Sequence, residues 1–80
     1  MAESRLIEIL GPGCAKCELL AKHAAQAATE LGLDYAVIKI KDPAAIARYG
    51  VMQTPALVVD GRVKLVGRVL TAEHLKEYLR

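Results

Sequence analysis

The chain has 80 residues, 54% of them hydrophobic and 25% charged, with a formal net charge of +2. That balance excludes intrinsic disorder and suits one small folded domain spanning residues 1–80, near the lower size at which a chain folds unaided. The basic residues are scattered, and with no Phe or Trp and only three Tyr the chain offers neither a cationic stripe nor a stacking platform, which argues against nucleic-acid binding.

The first segment, MAESRLIEIL, lacks the basic-then-apolar order of a signal peptide, and no apolar run approaches the roughly 18–20 residues of a membrane span. A cytoplasmic protein without membrane association is expected, and a permanent structural disulfide is disfavoured there. No repeat, linker or low-complexity stretch interrupts the chain.

Residues 5–10, RLIEIL, form an apolar, branched run closed by Gly11-Pro12-Gly13, as a buried strand ending in a tight turn would be. From Cys14 to Leu31, apolar positions Cys17, Leu20, Ala24, Ala27 and Leu31 recur every three or four residues, which predicts an amphipathic helix stopped by Gly32. Residues 34–40, DYAVIKI, restore strand character. Asp42-Pro43 then supplies an N-cap and a first-turn proline for a short helix through Tyr49, ended by Gly50.

In ALVVDGRVKLV (56–66), Asp60-Gly61 predicts a two-residue hairpin turn between two strands. The second strand alternates Val63 and Leu65 against Arg62, Lys64 and Val66. Thr71 can cap a last helix, with Leu70 packing on Leu75 as a hydrophobic staple. The order β-α-β-α-β-β-α predicts an α/β fold: a four-stranded mixed sheet flanked by three helices.

The chemistry is concentrated in GPGCAKC (11–17). Cys14 falls at the start of the helix, where free N–H groups and the helix dipole stabilise a thiolate, and Lys16 could add a cation or simply be solvated. Cys17 heads the apolar stripe and should be more buried. An exposed attacking sulfur with a sheltered resolving sulfur is what thiol–disulfide exchange requires, so Cys14 is the expected nucleophile and Cys17 the resolving thiol.

C-x-x-C also binds metals, as in small copper-carrying domains. Those domains usually carry Met where this chain has Pro12, and they end in a strand rather than a helix. His23 and His74 lie far from zinc-finger spacing and read as surface residues. No metal ligand set is therefore expected.

The second informative stretch is VMQTPALVVDG (51–61). A proline directly before a buried strand removes an N–H from the ladder, so Thr54-Pro55 marks a special backbone geometry or an ordinary trans strand start. Together with GPGCAKC, it resembles the thioredoxin and glutaredoxin superfamily. The likeness is nearest to the very small thioredoxin-like redox-active disulfide proteins of archaea and bacteria, through Gly11 to Cys17, Thr54 to Leu57, Asp60-Gly61 and Gly67-Arg68.

The resemblance implies a thiol–disulfide oxidoreductase that needs no cofactor beyond its Cys14–Cys17 couple. It makes Pro55 a cis-proline and has the backbone of Thr54 pair with bound substrate; Gly13 and Lys16 are supporting candidates through their place beside Cys14, not through the resemblance. An upstream reductase resembling thioredoxin reductase and disulfide-bearing proteins are the implied partners, and a monomer is expected. Gly13 stands where thioredoxins have Trp, and Ala15-Lys16 where they have Gly-Pro. Lys16 and Gly67-Arg68 occupy places where glutaredoxins carry an aromatic and Gly-Gly, which argues against glutathione.

Counting back six residues from Cys14 reaches Glu8, where thioredoxins bury a carboxylate. Glu8 could accept the Cys17 proton, although a partly solvated strand residue is the favoured reading. Tyr35, Tyr49 and Tyr78 read as packing residues with wet hydroxyls. Two other functions stay open: a thiolate metal-binding or metal-transfer module, and a redox-sensing adaptor that binds without turnover.

Overall fold

A computed structural model describes residues 3–80. Its elements are β1 (Ser4–Leu10), α1 (Ala15–Glu30), β2 (Asp34–Ile40), α2 (Pro43–Arg48), β3 (Ala56–Val59), β4 (Arg62–Val66) and α3 (Ala72–Leu79). The predicted order holds, and the four strands form one mixed sheet in the order β2-β1-β3-β4. β1 runs parallel to β2 and antiparallel to β3, so the strand that leads into the cysteines is central.

Alternation along β1 divides the core between the two faces of the sheet. Ile7 and Ile9 point into a cluster with Leu20, Ala24, Ala27 and Ala28 of α1, Leu57 and Val59 of β3, and Leu75 and Leu79 of α3. Leu10 points to the other side, where it meets Ile46 of α2, Ala56 and Val58. The small residues of α1 let α3 approach closely. A Lys76–Glu30 ion pair at 2.8 Å joins α3 to the end of α1, and a 2.8 Å contact of His23 Nδ1 with the Leu70 carbonyl joins the middle of α1 to the start of α3. His23 is thus half-buried and bonded rather than a plain surface residue.

Local signals explain most element ends. Cys14 and Leu31 cap α1 from outside the helix proper, and Asp42 accepts the Ala44 N–H at the start of α2. Thr71 accepts the His74 N–H, while Leu70 and Leu75 join the same cluster as the staple requires. The hairpin turns on Asp60 and Gly61, both at positive φ (50° and 82°), the type I′ conformation that matches strand twist. Asp60 also accepts the Leu6 N–H and donates its own N–H to the Leu6 carbonyl, fastening the turn to β1.

The expected alternation of β4 also fails. Val63 and Leu65 do not share a face, because Leu57 pairs with Leu65 and Val58 with Val63, which leaves Lys64 as the extra residue of a bulge. Leu65 therefore enters the α1–α3 core, whereas Val63 follows Val58 to the opposite side and is 38% exposed.

The α3 helix is held through Leu75 and Leu79, both fully buried in the α1-facing cluster. Leu75→Ala should lower unfolding stability by ~2–5 kcal/mol in urea melts, whereas Leu6→Ala, at a 40% exposed position, should cost well under half as much.

Candidate active site

The first turn of α1 meets the end of the sheet at Gly11, whose N–H donates to the Ile40 carbonyl at 2.9 Å. Any side chain at position 11 would collide with Cys17 Sγ, and the Thr54 Cβ lies 3.6 Å from the same point. Gly11 is therefore more than a turn former: its missing Cβ is the space into which Cys17 packs, with the 51–55 loop on the far side. The Thr54–Pro55 peptide bond is cis, and Pro55 is fully buried.

Cys14 and Cys17 share one helix end but not one environment. Cys14 is exposed and extended in backbone (φ −71°, ψ 169°), and its sulfur takes the N-cap role by accepting the Cys17 N–H at 3.3 Å. The two Sγ atoms lie 2.7 Å apart. The Cys14 thiol is held below its ordinary value, first by the hydrogen bond from the Cys17 thiol and then by the Cys17 N–H, with the Lys16 N–H assisting. Cys17, 4% exposed, is pushed up, first by burial and then by its hydrogen bond to Cys14.

The lowering at Cys14 agrees with the sequence reading in direction and in the part played by the helix-start N–H groups, while the largest cause, the hydrogen bond with the Cys17 thiol, is an addition to it. Lys16 assists through its main-chain N–H. The cation that lies against the cysteine loop is Lys41. Gly13 has φ +89°, a conformation that favours glycine, and the Cε and Nζ of Lys41 lie 3.3 and 3.4 Å from where its Cβ would be.

Sequence reasoning passed over Lys41 as one of many scattered cations. The signal was available in the topology: Leu10 pairs with Ile40 in the parallel ladder, so residue 41 must emerge beside the loop that follows residue 10. Beside Lys41, an open groove of about 340 Å³ runs between Pro12, Ile46, Val51, Met52 and Thr54. Met52 is 93% exposed at its rim.

Glu8 is buried, at 9% exposure, contrary to the favoured reading of a partly solvated residue. Its carboxylate accepts a 2.9 Å hydrogen bond from the Tyr49 hydroxyl, on the side of β1 opposite the cluster that contains Cys17. The Tyr49 hydroxyl is correspondingly not simply wet. Its pKa is raised by that bond to Glu8 and then by burial. Tyr35 takes a 3.1 Å hydrogen bond from Thr29. No group of three or more His, Cys, Asp or Glu suited to a metal ion occurs among the described residues.

Residues 5–80 match the thioredoxin domain family. The thioredoxin of Methanothermobacter thermautotrophicus is 44% identical over 73 residues, covering 91% of this chain and 95% of that protein. The thioredoxin of Methanocaldococcus jannaschii is 33% identical over 75 residues, covering 94% and 86%. Matched along nearly its whole length, and with its paired thiols at a helix start beside a Thr-Pro loop, this chain belongs to the thioredoxin family of thiol–disulfide oxidoreductases.

Proposed function

We propose that Cys14 is the attacking thiolate and Cys17 the resolving thiol in the reduction or exchange of protein and small-molecule disulfides. The observation that carries this reading is the opposite displacement of two adjacent thiols: Cys14 exposed and lowered, Cys17 buried and raised. The Cys14 sulfur attacks one sulfur of the substrate disulfide. That bond breaks, one substrate thiolate leaves, and a mixed disulfide remains.

Mixed-disulfide formation removes the negative charge on Cys14 that helped hold the Cys17 proton, so only burial still opposes ionisation of Cys17. Cys17 gives its proton to water or to the substrate thiolate released first, then attacks Cys14 Sγ and expels the second substrate thiolate. Two electrons have passed to the substrate, and the protein holds a Cys14–Cys17 disulfide. A reductase resembling thioredoxin reductase returns those electrons. The couple is its own electron carrier, so no further cofactor enters the cycle.

Thr54, beside Gly11 and Cys17, is assigned the substrate side of this chemistry, and Gly13 the support of the cysteine loop against Lys41. The Thr54 main chain offers the polar groups with which an extended substrate segment can pair. Glu8 serves as a support: its bond to Tyr49, which caps the end of α2, fixes the point from which the 51–55 loop departs.

Cys17→Ser should accumulate a mixed disulfide through Cys14 when mixed with a disulfide substrate, detectable by mass, and Cys14→Ser should form none. Trapping through the other sulfur would reverse the assignment. The rate of Cys14 alkylation should rise with pH to a midpoint below the ordinary thiol value of 9.0, because only the thiolate reacts. In Cys17→Ala that midpoint should move upward, since the largest stabilising bond to Cys14 is gone.

For Glu8, Tyr49→Phe should destabilise the fold by ~1–3 kcal/mol by leaving a buried carboxylate without its partner. Glu8→Gln should leave the pH midpoint of mixed-disulfide resolution in place; a displaced midpoint would make Glu8 the proton acceptor instead.

A further inference from the structure

Lys41 is placed where a charge can choose among substrates. Its ammonium lies across Gly13, directly before the reactive Cys14, and it forms one wall of a groove whose other walls, Thr54 apart, are apolar. Of the nearby carboxylates, Glu18 is ion-paired to Lys39 and feels the Lys41 charge only as a weaker, longer-range attraction, and Asp42 accepts the Ala44 N–H. Lys41 itself enters no ion pair among the described residues.

The groove also has a pronounced apolar rim. Met52 is 93% exposed, and Val51 and Ile46 lie behind it. Burial of so flexible an apolar side chain against a partner would be favourable. A segment bound there would place one side chain among Met52, Ile46 and Val51 and its neighbour under the Lys41 ammonium.

We propose that Lys41 is a specificity-determining residue, selecting disulfides in extended protein segments that carry a carboxylate beside an apolar residue next to the attacked cysteine. The proposal rests on the exchange reaction assigned above and adds to it the chemistry of the substrate. The reacting bonds are unchanged: Cys14 joins the substrate sulfur, the substrate S–S bond breaks, and Cys17 completes the two-electron transfer. Lys41 contributes to the encounter and to the orientation of the bound segment, and touches no reacting atom.

The test uses the reduced full-length protein and two synthetic peptide disulfides, identical except for Glu or Lys beside a Leu that neighbours the cysteine. Neutral hydroxyethyl disulfide serves as the third substrate. Wild type should reduce the Glu peptide about three- to tenfold faster than the Lys peptide at low salt, with the ratio collapsing toward one at 0.5 M NaCl. Lys41→Glu should invert the ratio, and Lys41→Gln should bring it close to one, while Lys16→Gln should retain the preference.

Equal rates for both peptides in wild type, with hydroxyethyl disulfide still reduced, would overturn the proposal and leave the exchange reaction standing. Failure to reduce any of the three would overturn both. A preference abolished by Lys16→Gln but kept by Lys41→Glu would move the role to Lys16. A reduced protein that sediments as a dimer and loses rate per cysteine as its concentration rises would assign the groove to a second copy of this chain, which also overturns the proposal.

Discussion

The reactive end of this fold depends on how closely α1 can approach the end of β1. At Gly11 the strand comes so near the helix that the sulfur of Cys17 occupies the volume a side chain would need. The approach presses Cys17 into the core, whereas Cys14, the cap residue with extended backbone ahead of the first turn, stays outside. The same close contact brings the Thr54 side chain to Gly11, so the loop before β3 is gathered to the cysteines by packing.

From that constraint follows the division of labour between two chemically identical side chains. Cys14 receives the N–H groups that a helix start leaves unpaired, and those dipoles favour its charge. Cys17 loses solvent, which disfavours its charge, and it also shares a hydrogen bond with its neighbour. The shared bond stabilises one thiolate at the expense of the other. A single proton between the two sulfurs therefore stays with the buried one.

Much of this could be read from residues alone. Asp60-Gly61, Asp42-Pro43, Thr71 and the i, i+3, i+4 spacing of α1 are local signals, and each sits where the fold uses it. The exposed and buried environments of Cys14 and Cys17 were legible for the same reason, since they follow from a cap position and a first-turn position at one helix start. The parts that were not legible depend on pairings distant in sequence. The bulge at Lys64 breaks an alternation that looks regular in the chain, and only the register against Leu57 and Val58 reveals it. Glu8 and Tyr49 are 41 positions apart, and neither residue announces the other. Lys41 gained its place from the parallel register of β1 and β2, which no local window contains.

The brevity of α2 connects the fold to the site. The helix ends after six residues, and Gly50, at φ 73°, lets the chain reverse before residues 51–55. Stopping there leaves Leu6, Ile38, Val63 and Val66 partly exposed on the α2 side of the sheet, which a longer helix could have covered. A longer helix would also have carried Met52 and Thr54 away from Gly11, since each added residue advances the chain about 1.5 Å along the helix axis. The α1–α3 face supplies the larger buried cluster, and the opposite face gives up apolar burial so that its loop can return to the cysteines. Stability and access are thus assigned to opposite sides of one sheet, with β1 between them and Glu8, through Tyr49, holding the open side in place.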